Sequence, residues 1–157
     1  MSEDTRPPLW LETRYGMSEA ALRAAIPNAR RSAHAEPLRN GARALLALDD
    51  VELLDRHFAA RFYFLNQALH QVTLGMTPTP TRSAGDSAFQ EFRTALRIKY
   101  GTEVDSRSVT NERGTIQAAT WLHGPTNIEL VFMSVDGEPE YFNVVYQARL
   151  SSEAAKL

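Results

Sequence analysis

The chain states one pattern twice, a short amphipathic helix followed by a series of strand-like runs, and this duplication limits the folds open to it. In the first statement Ser18 caps a helix whose apolar positions Leu22, Ala25 and Ile26 recur at helical spacing, and Pro27 with Asn28 ends it. Strand patterns follow at 29–34, 43–48, 51–54, 58–65 and 69–74, separated by turn residues at Arg39-Asn40-Gly41, Asp49-Asp50 and Asn66-Gln67. In the second, Ser87 and Gln90 form a capping box. Phe89, Phe92, Leu96 and Tyr100 make the apolar stripe, and Gly101 ends the helix. Strand patterns then lie at 104–110, 115–122, 127–135 and 141–149.

Between the two statements, residues 77–82 carry two prolines and no apolar side chain, which predicts an extended connector. The expected architecture is α+β: a curved, mainly antiparallel sheet with two helices packed on one face. It forms a single domain over 1–157, built from tandem α-β4 units with halves at 9–76 and 83–150.

Composition narrows the functional classes. The 157 residues are 43% hydrophobic and 23% charged, as in ordinary globular proteins. The net charge of −2 divides almost evenly between the halves, so no basic footprint for nucleic acid exists. Cysteine is absent, which excludes disulfides, thiolate nucleophiles and cysteine-ligated zinc. No stretch approaches the ~18 consecutive apolar residues of a membrane-spanning helix. Residues 1–8 are polar, so as given the chain reads as cytoplasmic. A periplasmic protein whose leader has been removed is the alternative.

Residues able to do chemistry are present but not in constellations. His34, His57, His70 and His123 lack the spacing of a helical metal site and read as strand-surface or loop residues. Asp49, Asp50, Glu52 and Asp55 do not match a calcium loop, and Asp136, Glu138 and Glu140 read as an acidic turn tip. Neither a nucleophile elbow nor a phosphate-binding glycine loop occurs. Gly85-Asp86-Ser87 opens the second helix, where capping explains it better than anion binding. The expectation is no catalytic residue, no metal and no cofactor.

Strand alternation gives a more specific expectation, because successive side chains point to opposite faces. Sorting by alternation places Phe62, Phe64, Ile128, Leu130, Phe132, Phe142, Val144 and Tyr146 beneath the helices. The other face then collects Arg61, Tyr63, Gln117, Trp121, Glu129, Met133 and Val145, together with Val131, Asn143 and Gln147. Trp, Tyr and Arg are enriched where proteins hold partners, so these seven residues are the expected binding surface for another protein. Shielding of a one-side-wet antiparallel sheet is the plainer alternative.

Tyr15-Gly16-Met17-Ser18 resembles the strand, Gly-Met-Ser/Thr, helix entry of beta-lactamase inhibitory protein and of the SmpA/OmlA-type envelope lipoproteins. Phe62 with Phe64, Lys99-Tyr100-Gly101 at a helix end, and Trp121 before the strand at Ile128 extend the likeness to a broader set of bacterial proteins. The resemblance implies a tandem helix-plus-strands fold and a role in enzyme inhibition or envelope assembly. Its sharpest form here is a non-enzymatic inhibitor or immunity-type protein. The competing class is a small-molecule binder or enzyme on a cone-shaped α+β fold, with His57, His70 or Glu129 lining a pocket. An enclosed apolar cavity of ~300 Å³ or more with converging polar groups would favour it. Oligomeric state is open at this stage.

Overall fold

A computed structural model describes residues 6–33 and 36–149, so the histidine at 34 and the end of the second half at 150 lie outside the described residues. Each half supplies one helix and four strands: α1 (Glu19–Ala25), β1 (Arg30–Arg31), β2 (Arg43–Leu53), β3 (Arg56–Leu65) and β4 (Ala68–Met76), then α2 (Arg82–Tyr100), β5 (Asp105–Asn111), β6 (Gly114–His123), β7 (Thr126–Val135) and β8 (Tyr141–Ala148). All eight strands join in one antiparallel sheet ordered β1-β2-β3-β4-β8-β7-β6-β5. The halves therefore meet at β4 and β8, in mirror order about that seam.

Both helices lie on the same face. Leu22 and Ile26 from α1 and its C-cap share one core cluster with Phe89, Phe92 and Leu96 of α2 and with Phe58, Phe62, Leu74, Leu130, Phe132 and Phe142 of the sheet. Phe92 meets Phe58 at 5.3 Å and Phe142 at 5.5 Å between ring centroids. Full burial of such side chains contributes about 1.5–3 kcal/mol each, making this layer the main source of stability. Among the described residues no helix is long and apolar enough to cross a membrane.

Three local expectations change. The second helix begins at Arg82, capped by Thr81 Oγ1 accepting from the Ala84 N–H, so Ser87 is a helix residue and not its cap. Gly85 reads in sequence as part of the helix opening. Here it is a buried contact, since a Cβ at this position would lie 2.2 Å from Phe132 Cζ. Asp49-Asp50 is not a turn: a register shift between Leu48 and Val51, with Asp50 at φ 56°, lets β2 run through as one strand. The turn falls instead at Leu54-Asp55, where both residues take positive φ to join Leu53 to Arg56.

Candidate protein-binding surface

The strand registers fix the side of the sheet that faces away from the helices. One row of cross-strand partners spans its full width: Arg30, Ala47, Arg61, Thr73, Val145, Glu129, Thr120 and Asp105. On one side of it run Tyr63, Gln71, Gln147 and Asn127, and on the other Ala59, Gly75, Asn143, Val131 and Ala118. A further row, Val109, Ile116, Met133 and Tyr141, is wholly apolar or aromatic. Val109 is 42% exposed and Tyr141 36%.

Of the seven expected residues, Arg61, Glu129, Met133 and Val145 occupy this open face, all partly exposed. Tyr63 points the same way but is covered: its ring packs with Ala42 and Ala44, and Leu38 and Leu65 close over it. The chain that passes from Leu38 to Ala42, with the Leu38 N–H donating to the Ala42 carbonyl, forms that cover.

Trp121 and Gln117 belong to the opposite face, which corrects their placement. Trp121 is fully buried in the core cluster that holds Phe92 and Leu96, and its Nε1 donates to the Gly101 carbonyl at 2.8 Å. Gln117 is buried too, its Nε2 donating to Asp86 of α2 and its Oε1 accepting from Gln90 at 3.4 Å. The reason is the hairpin between β6 and β7. Its two-residue loop, Gly124-Pro125, pairs odd-numbered positions with even-numbered ones, so Trp121 stands opposite Ile128 and Gln117 opposite Phe132. In β7 and β8, by contrast, odd positions pair with odd, and Glu129 stands beside Val145. Carrying the hairpin parity across β6 yields Ile116, Ala118 and Thr120 as the open-face residues, with Val109 beside them on β5.

The electrostatics of the open face centre on two side chains. The side chains of Arg61 and Glu129 make no hydrogen bond or ion pair within the described residues. Gln147 Nε2 donates to Gln71 Oε1 at 2.7 Å, and Gln71 Nε2 donates to Thr73 Oγ1 at 2.8 Å, an amide relay across the seam between β8 and β4. At the rim Arg30 is taken up by Asp49, with Nε to Oδ2 at 2.7 Å. Burial raises the Glu129 carboxyl above the ordinary glutamate value.

The histidines expected to line a pocket do not meet. His57 sits at the Met76 end of the β3–β4 pair and His70 at the Leu65–Ala68 end, where Asn40 Nδ2 donates to its Nε2 at 2.8 Å and Tyr15 packs on its ring at 5.8 Å. Burial lowers the His70 pKa. Surface clefts open beside the sheet, two of which are relevant to this face. One of about 680 Å³ follows the bulge of β2, lined by Trp10, Asn28, Arg30, Asp49, Asp50 and Glu52. A second, about 420 Å³, extends the apolar row and is lined by Val109, Ile116, Met133, Arg113 and Glu138 among others. Among the described residues no group of three or more His, Cys, Asp or Glu side chains is placed to hold a metal ion.

No protein-family model, no curated protein and no solved structure matches this chain.

Proposed function

We propose that the protein is a non-enzymatic protein-binding module whose recognition surface is the open face of the sheet. The observation that carries this reading is the pairing of two unlike features on one face. A contiguous apolar row, Val109, Ile116, Met133 and Tyr141, lies four residues along the strands from a row in which the side chains of Arg61 and Glu129 hold charges without partners among the described residues. Apolar contact with arginine and aromatic anchors inside a polar frame is the composition of protein interfaces. Val131 and Val145 join the two rows into one patch. An inhibitor or immunity-type role is the most specific form of the proposal, and it rests on the resemblance of the Tyr15-Gly16-Met17-Ser18 entry and the tandem layout.

The test is capture of a partner from a lysate of the encoding organism, followed by affinity measurement with that purified partner. Met133→Asp and Val145→Asp are expected to weaken binding by at least tenfold, a charge on the buried part of an interface being costly. Ile98→Ser, on the solvent side of α2 where Ile98 is 83% exposed, is expected to leave affinity unchanged. Binding insensitive to both face variants would refute the proposal.

A further inference from the structure

We infer that the open face binds a second copy of this chain, face to face about a two-fold axis running along the strand direction between β4 and β8. The inference rests on the reading of that face as a protein-binding surface and names its occupant. Its basis is the order of the central row: Arg61 on β3, Thr73 on β4, Val145 on β8 and Glu129 on β7. Such an axis exchanges left and right across the seam, so Arg61 of one copy stands over Glu129 of the other, twice, while Thr73 covers Val145.

In the adjoining rows Gln71 meets Gln147, Gly75 meets Asn143 and Ala59 meets Val131, with no like charges opposed, and the Leu38–Ala42 cover over Tyr63 bounds the contact on its side. An axis running across the strands would instead stack Arg61 on Arg61 and Glu129 on Glu129, and is rejected for that reason. A two-fold interface requires a surface complementary to itself, and this row meets the requirement by its charge order.

Distances agree with the arrangement. Arg61 and Glu129 are three strand spacings apart, about 14 Å, and packed sheets stand ~10 Å apart, a gap that an arginine and a glutamate reaching from opposite sides can close. Sheet twist of roughly 20–25° per strand draws the outer strands away, so contact is confined to the central four. Their footprint of roughly 600 Å² per chain falls toward the low end of specific interfaces, which makes the dimer reversible. Both charges are unpaired within the described chain, so the contact breaks no existing ion pair.

Sedimentation equilibrium over a concentration series tests this with charge exchange. The native chain is expected to pass from monomer to dimer as concentration rises. Arg61→Glu and Glu129→Arg should each remain monomeric, because each opposes like charges at both contacts. An equimolar mixture of those two variants should restore the dimer, since every contact then joins a positive side chain to a negative one. Should a reversed variant fail to fold, Arg61→Met and Glu129→Gln remove one charge each and are expected to weaken association at least fivefold.

A native chain monomeric up to its solubility limit, a dimer indifferent to these variants, or a mixture that stays monomeric would overturn the inference. The partner-affinity experiment separates this outcome from failure of the broader reading. If the chain is monomeric yet Met133→Asp abolishes binding of another protein, the recognition face stands and only the second copy is excluded.

Discussion

Trp121 is the residue on which sequence reasoning and structure part most sharply, and it carries the plainest energetic consequence. Its indole is fully buried and its N–H satisfies the carbonyl that follows the last turn of α2. Trp121→Ala is expected to cost about 3–5 kcal/mol in denaturant unfolding, the range for emptying a large aromatic site. An outward-facing tryptophan would cost under about 0.5 kcal/mol, so the measurement separates the two placements. Glu129 poses the reverse case, a carboxylate held half-buried without a partner. Because its folded pKa lies above the unfolded one, the folded chain binds its proton more tightly, and stability falls as pH rises from the ordinary glutamate value through the raised one. Glu129→Gln is therefore expected to stabilise the dilute protein at neutral pH, with the gain disappearing below about pH 4. A gain that persists unchanged in acid would show that ionisation of Glu129 is not its source.

Strands and helices differ in how much of them the residues reveal. The four strands of the second half were legible almost to the residue, because period-two patterning and the turn residues Gly124-Pro125 and Asp136-Gly137 agree. Ser18 as the cap of α1 and Gly101 as the end of α2 were legible for the same reason: each is a local device acting on its own backbone. What was hidden depends on contacts far along the chain. The start of α2 was displaced to Ser87 because Ser87 and Gln90 have the form of a capping box, and only the ring of Phe132 supplies the reason for a glycine inside the helix at Gly85. Gly85→Ala tests this directly. Helix propensity alone predicts a gain of up to ~1 kcal/mol. The contact with Phe132 predicts a loss of about 1–3 kcal/mol, read from the shift in unfolding midpoint.

At the scale of the whole molecule, the class of fold followed from the repeated order of signals, while the membership of the recognition face did not follow from numbering alone. Alternation sorts residues within a strand, but the relation between strands is set by loop length. One two-residue loop reversed the parity of β6 relative to β7 and carried Trp121 and Gln117 into the core. Arg61, Glu129, Met133 and Val145 kept their places because the pairings that link β3, β4, β8 and β7 preserve parity along the central row. The long-range cover of Leu38 over Tyr63 had no local signal at all. Within the sheet, the mirror order of the strands places Arg61 and Glu129 at equivalent distances from the seam with opposite charge. Association through them is expected to weaken as salt is raised, as steered charge contacts do.

Carbene footprinting of the chain, dilute and then saturated with whatever it binds, bears most directly on the open face as the recognition surface. Labelling is predicted to fall at Met133, Val145 and Arg61 and to stay constant at Ile98 and Leu54 on the helix side. Protection at Ile98 and Leu54, with Met133 and Val145 labelled as in the free protein, would contradict the account.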